Sequence, residues 1–170
     1  MCFARRAFFR GLRLEQAGIP TPQMLAVAEV RQLRWPVAAY LVCDEVTSAQ
    51  TLAVIVRGKA CPRRVVEGLA GVLARMHDRG FIHRDLKSSN ILFDSNLNPW
   101  LIDMDGVHFV EKVSVPQVVR DFRVLGQLLV RNPHLRRAAL RFLVRYCRQR
   151  DLMPQRREIL RRVNASLGSS

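Results

Sequence analysis

The feature that most constrains this chain is the run His83-Arg84-Asp85-Leu86-Lys87-Ser88-Ser89-Asn90, followed by Leu101-Ile102-Asp103-Met104-Asp105-Gly106. Asp85 stands five residues before Asn90 and eighteen before Asp103. Asp85 offers a carboxylate that accepts a proton, and Asn90 and Asp103 offer the hard oxygens that a magnesium-like ion prefers. The context is ordered on both sides. Upstream, Pro62 to Arg79 predicts a helix with Val65, Val66, Leu69, Val72, Leu73 and Met76 on one face, Pro62 in its first turn and Gly80 as its stop. Downstream, Ile91-Leu92-Phe93 and Trp100-Leu101-Ile102 predict two short strands, joined by a turn built from Asp94-Ser95-Asn96 and Asn98-Pro99.

The 170 residues, 49% of them hydrophobic, predict one folded domain with a real core and exclude a disordered chain. The formal charge is +14, from 28 basic and 14 acidic residues. Only Lys59, Lys87 and Lys112 are lysines; the other 25 basic residues are arginines, densest from Arg131 to Arg162 at helical spacing. Two explanations stand: affinity for phosphates, nucleic acid or an anionic membrane surface, or the coding bias of a GC-rich genome. Charge alone points to nucleic acid and no known binding module is visible, so nucleic acid is not an expected partner. Cys2, Cys43, Cys61 and Cys147 form no C-x-x-C pair and fit a reducing, cytosolic compartment. No apolar run reaches the length of a membrane span, and Met1-Cys2-Phe3-Ala4-Arg5-Arg6 lacks a signal-peptide core. Any membrane attachment is expected to be peripheral.

Residues 3–17 predict a helix carried by Phe8, Leu12, Leu14 and Glu15 and ended at Ala17-Gly18, with Pro20 beyond. Ile19-Pro20-Thr21-Pro22 is a stiff turn. Met24 to Val30 and Val37 to Val42 predict strands. The second is nearly all apolar and is expected to be central. Cys43-Asp44-Glu45 is its polar exit. Beyond Pro116 the chain predicts helices at 117–131, 134–149 and 155–165, punctuated by Asn132-Pro133 and Met153-Pro154, with a frayed tail at Gly168-Ser169-Ser170.

The His83 to Asn90 loop resembles the H-R-D-L-K-x-x-N catalytic loop of the protein-kinase-like fold. Asp103 stands where a D-F-G is expected, although D-M-D-G is written here. Leu73, Met76-His77 and Gly80 resemble the L-x-x-L-H-x-x-G that precedes that loop. Asp121-Phe122-Arg123-Val124-Leu125-Gly126 resembles the D-x-x-x-L-G of a later helix. The resemblance covers about residues 3–130. It implies an α+β, protein-kinase-like fold with an incomplete N-lobe at 1–44 and a mostly helical C-lobe at 45–170. It implies ATP and Mg²⁺ as cofactors. Asp85 would then be the base, and Asn90 and Asp103 would hold Mg²⁺. Lys87 would offset charge on the transferring phosphoryl group. Asp44 and Val46, at the hinge-like exit of the second strand, would meet the nucleotide. Arg84 would brace the loop. Asp121 would support the loop's backbone, a role compatible with its place near a helix N-terminus. His77 reads as a packing residue, and Asp105 as a solvated turn residue or a third carboxylate near the metals.

Only residues 107–120 separate Gly106 from Asp121. A protein kinase needs room there for an activation loop and an A-P-E segment, and neither fits, so a small molecule or a sugar is the expected acceptor. Leu14-Glu15-Gln16-Ala17-Gly18-Ile19-Pro20-Thr21-Pro22, the strand ending at Val42, the two runs above and Arg120-Asp121-Phe122 together resemble the bacterial lipopolysaccharide kinase family. Its members phosphorylate heptose or Kdo sugars of the lipopolysaccharide inner core. The resemblance implies such a sugar as acceptor, a cytoplasmic protein, and peripheral contact of the basic face with anionic glycolipid at the inner membrane.

The chain departs from the pattern at its front. No G-x-G-x-x-G and no V-A-I-K-type lysine precede the first helix. Lys59 lies too late for that role, and Glu15, the candidate for the helix glutamate, has no such lysine to pair with. A fragment of a longer protein, a degraded copy, and a nucleotide binder without an N-lobe roof are the three readings; the fragment is expected. The functional alternatives are a Ser/Thr protein-kinase-like enzyme and an inactive pseudokinase or binding module.

Overall fold

The computed structural model describes residues 3–33, 35–58, 61–131 and 133–167. Helix α1 (Phe3–Gln16) buries Ala4, Ala7, Gly11 and Leu14, a three- and four-residue spacing that makes one apolar face. Gly18 takes a left-handed φ of 68°, and the Ile19 N–H returns to the Leu14 carbonyl, closing the helix. Strands β1 (Met24–Gln32) and β2 (Trp35–Cys43) form an antiparallel two-stranded ribbon. A short strand β3 (Gln50–Thr51) leads into the one-turn helix α2 (Leu52–Ile55), where Thr51 Oγ1 accepts the Val54 N–H at 3.3 Å.

Helix α3 (Arg63–Asp78) carries the centre of the core, burying Val65, Leu69, Val72, Leu73 and Met76 among others. The chain then reverses at Gly80, where φ is 79° and an added Cβ would lie 2.3 Å from the Val110 carbonyl oxygen; only glycine fits. Four short strands follow: β4 (Phe81–His83), β5 (Ile91–Phe93), β6 (Pro99–Leu101) and β7 (Val107–Phe109). β3, β5 and β6 make one sheet and β4 pairs with β7 in another, all antiparallel. Helices α4 (Val115–Arg131), α5 (Arg136–Gln149) and α6 (Arg156–Leu167) complete the C-terminal half, with α3 against α5 and α4 against α6.

This is the α+β arrangement with a mostly helical second half that the sequence predicts, and the helix limits agree to within a few residues. One expectation is corrected. β2 is not a central strand: among the described residues it pairs only with β1, and Trp35 is 77% exposed. Val37, Tyr40 and Val42 on it are about half exposed. An apolar run states what a strand could bury, not what lies beside it. The short elements β3, α2, β4 and β7 were not foreseen, because two to four residues carry no readable period. Lys59, Asn132 and the tail at 168–170 lie outside the described residues.

Candidate active site

The β5–β6 hairpin builds the site. Its ladder pairs Ile91 with Leu101, so the residues just beyond its open end meet: the Ile102 N–H donates to the Asn90 carbonyl at 3.0 Å. At the closed end Asp94 accepts the N–H groups of Asn96 and Asn98, both at 2.9 Å, the Asn98 amide at 3.1 Å and the Trp100 indole N–H at 3.3 Å. These bonds, the Asn98 N–H first, hold the Asp94 carboxyl below its usual range and fix the turn.

Asn90 is 5% exposed and its amide is the hub. Its Nδ2 donates to Asp103 Oδ2 at 3.0 Å, to the Asp85 carbonyl at 3.0 Å and to Asp85 Oδ2 at 3.3 Å. Lys87 Nζ donates to the same Asp85 oxygen at 2.6 Å. That bond is the main reason the Asp85 carboxyl sits below its usual range and the Lys87 ammonium above its own. Asp103 is exposed and takes a left-handed φ of 65°. For a residue with a Cβ that costs about 1 kcal/mol or more, strain of the kind that collects at functional sites. Among the described residues no three His, Cys, Asp or Glu side chains gather as a metal cage. Mg²⁺ needs none, because it keeps waters and shares its shell with nucleotide phosphates. One carboxylate and one amide oxygen, from Asp103 and Asn90, fit that demand.

The loop is hung from the helices by a buried polar chain. Asp121, fully buried, accepts the His83 backbone N–H at 2.9 Å and lies 3.2 Å from His77 Nε2, both through Oδ2. His77 Nδ1 is 2.6 Å from the Tyr146 hydroxyl, which accepts from Arg150 Nη1 at 3.0 Å. Arg150 Nε in turn donates to Asp78 at 2.7 Å. One set of donors satisfies every link: Arg150 to Tyr146, Tyr146 to His77, and His77 to Asp121. It requires a neutral His77, and burial does push the His77 imidazole below its ordinary pKa and the Tyr146 phenol up. The His83 ring is also buried, with Nε2 donating to the Ile102 carbonyl at 3.2 Å.

The chain matches the Lipopolysaccharide kinase (Kdo/WaaP) family over residues 6–146. It belongs to that family. Among similar curated proteins, the 3-deoxy-D-manno-octulosonic acid kinase of Vibrio parahaemolyticus is 29% identical over 72% of this chain and 52% of its own length. The kinase of the same description from Stenotrophomonas maltophilia is 35% identical over 61% of this chain and 40% of its own length. The chain thus spans about half or less of these relatives. Among solved structures, the bifunctional kinase-methyltransferase WbdD superposes with a TM-score of 0.61 at 18% identity, over 97% of this chain and 40% of that one. A second WbdD structure gives 0.60 at 17% identity, over 96% and 41%. The fold is protein-kinase-like.

Within this kinase-family fold, the remaining predicted site residues fall in different places. Asp44 and Val46 lie past the end of β2, outside the hydrogen-bonded set around Asn90; the exposed Asp44 accepts the Glu45 N–H at 2.8 Å. Arg84 is exposed, and its backbone N–H donates to the Gly106 carbonyl at 2.9 Å. Glu15 does not await a lysine: its Oε1 accepts the Met24 N–H at 2.7 Å and ties α1 to the start of β1. Asp105 is a partly exposed residue of the Met104–Gly106 turn, and its partners come from α1. It pairs with Arg6 at 3.4 Å and with Arg10, which also reaches its carbonyl. Sequence reasoning missed Arg6, Arg10, Tyr146 and Arg150. The four-residue spacing of Arg6 and Arg10 marked one helix face, but nothing local names the acid that it meets.

Proposed function

We propose that this chain carries the catalytic part of an ATP-dependent kinase that phosphorylates a hydroxyl of a Kdo sugar in the lipopolysaccharide inner core. The observation that carries the reading is the Asn90 amide joining Asp85 and Asp103, 3.3 and 3.0 Å away, on a fold of the lipopolysaccharide kinase family. The 3-deoxy-D-manno-octulosonic acid kinases among its relatives supply the acceptor class.

In this reading Asp85 orients the acceptor hydroxyl and takes its proton as the bond to phosphorus forms. Half of the Asp85 side chain faces solvent, so a sugar hydroxyl has access to it. Lys87 exchanges its bond to Asp85 for the transferring phosphoryl group and offsets its charge. Asn90 and Asp103 would hold Mg²⁺, which supplies charge neutralisation at the ATP phosphates when bound. Arg84 and Asp121 brace the loop. Asp44 and Val46 contact the nucleotide from the boundary between an N-lobe portion, 1–44, and a C-lobe, 45–170. Among the described residues no helix is long and apolar enough to cross a membrane. The protein works in the cytoplasm and meets its glycolipid peripherally at the inner membrane.

The test is transfer of labelled phosphate from ATP to a Kdo-bearing glycolipid, with calorimetric titration of Mg-ATP alongside. Asp85→Ala should lower transfer by about 10²-fold or more, the scale of a lost general base, while Mg-ATP binding persists. Equal transfer by the variant, or no Mg-dependent binding of ATP to the unaltered chain, would sink the proposal.

A further inference from the structure

Helix α5 carries five arginines and no acid: Arg136, Arg137, Arg141, Arg145 and Arg148. Arg137, Arg141 and Arg145 stand four residues apart and Arg148 three further on, so these four share one helix face and repel one another. All four are exposed, and among the described residues none of their side chains makes an ion pair or a hydrogen bond. A helix surface that serves only to be solvated alternates the signs, as α3 does where Arg63 Nε donates to Glu67 Oε1 at 2.8 Å. The α5 face has no such internal answer.

The face borders a groove. Arg141, Arg145 and Arg148 line it from α5 together with Leu140 and Val144, and Arg63 and Glu67 line it from α3, around a space of about 470 Å³. Glu67 is the one acid in that lining, against four arginines. Its bond to Arg63, then the fields of Arg63, Arg145 and Arg141, hold its carboxyl below the usual range. Leu140 is 50% exposed among the guanidinium groups, and no aromatic ring lines the groove. A phosphodiester backbone gains nothing from an exposed leucine, and unpaired bases call for a ring to stack on. A lipid interface uses both features, the charge at its headgroups and the aliphatic chain just beneath them.

We propose that the groove between the start of α3 and α5 docks the protein on an anionic bilayer, with Arg141, Arg145 and Arg148 on headgroup phosphates and Leu140 entering the acyl boundary. A guanidinium fork meets a phosphate with two parallel charge-assisted bonds. The groove adjoins the first turns of α3, whereas the catalytic loop follows the last, about 20 Å away along the 16-residue helix. A bilayer held there does not enter the site of Asp85, Asn90 and Asp103. The surface gives the peripheral membrane contact a face. Its binding is read without ATP or acceptor, so its failure and that of the sugar-kinase reading are distinguishable.

The test is co-sedimentation with vesicles of phosphatidylcholine containing phosphatidylglycerol, against phosphatidylcholine alone. The unaltered chain should bind the first and not the second, and salt should weaken the binding. Arg141→Gln with Arg145→Gln should lower the affinity about 20-fold or more, at about fivefold for each arginine near an anionic surface. Arg5→Gln with Arg13→Gln removes the same charge from exposed positions on α1 and should change it less than about threefold. All four residues are exposed, so the folded state tolerates both pairs. Leu140→Trp adds a reporter whose extra emission should shift to the blue when the anionic vesicles are added. No binding to those vesicles, equal losses for the two arginine pairs, or an unshifted Leu140→Trp emission overturns the docking surface. Binding of polyuridylate that Arg141→Gln with Arg145→Gln abolishes, without vesicle binding, assigns the groove to nucleic acid and overturns it as well.

Discussion

Replacing Asp121 tests whether the catalytic loop hangs from the helical half through one buried carboxylate. Asp121 is fully buried, and its Oδ2 serves the His83 N–H at 2.9 Å and His77 Nε2 at 3.2 Å. Asp121→Ala strands both donors where no water reaches, at about 1–3 kcal/mol each, so about 4 kcal/mol is expected. Asp121→Asn keeps an oxygen for one donor and exchanges a charged acceptor for a neutral one, which predicts about 1–2 kcal/mol. Urea unfolding separates the two. With a slope of about 2 kcal/mol per molar, the midpoint should fall about 2 M for Ala and under about 1 M for Asn, at an unchanged slope. Tyr146→Phe, which removes the donor to His77 and the acceptor for Arg150, should fall near Asn. If Ala and Asn shift the midpoint equally, or Ala shifts it by less than about 0.5 M, the buried carboxylate is not what holds the loop.

Two further outcomes follow from the same geometry. Gly106→Ala would place a Cβ 2.8 Å from both Cε1 and Nδ1 of the His83 ring and 3.3 Å from the Asp85 nitrogen. That ring is buried and bonded, so it has nowhere to turn; a loss of about 1–3 kcal/mol in thermal or urea unfolding is expected, and a loss under about 0.5 kcal/mol would show that it yields freely. For pH, burial holds His77 and His83 below their ordinary value of 6.5, so the unfolded chain binds more protons than the folded one as pH falls past it. Their stability is complete above about 6.5 and is lost below it, at up to about 1.4 kcal/mol per pH unit for each residue. Unfolding free energies that stay flat between pH 6.5 and about 5 would refute that assignment.

What the sequence revealed and what it hid divide along the range of the interaction. Asp85, Asn90 and Asp103 were legible because their spacing is set locally, by a 3₁₀ turn at Ser88–Asn90 and a hairpin closed by Asp94. The helices were legible because α3 repeats an apolar face over 16 residues. β4 and β7 were not, since each has three residues and exists only by pairing with the other. The same applies to Arg10 and Asp105, which lie 95 residues apart, and to His77 and Tyr146, 69 apart. A polar contact at that separation leaves no trace in either neighbourhood. β2 misled for a related reason: its apolar content is a property of the strand, and its exposure is a property of what packs on it.

Helix α1 shows what these long-range contacts accomplish together. One end is held at Glu15 by the Met24 N–H, and the other reaches Asp105 through Arg6 and Arg10. Asp105 sits two residues after Asp103, inside the 3₁₀ turn Met104–Gly106, and Met104 is buried beneath it with Thr21 Oγ1 3.3 Å from its sulfur. The strained backbone of Asp103 is therefore bracketed by the hairpin strand β6 on one side and an arginine-held turn on the other. The Arg–Asp105 pairs are partly exposed and 3.4 Å long, so they add under about 1 kcal/mol to stability. Their consequence is positional: they tie α1 to the turn that follows Asp103, whose carboxylate accepts the Asn90 amide at 3.0 Å. An acid two residues after the candidate metal carboxylate, which looked anomalous in the sequence, is the point at which the first helix reaches the site.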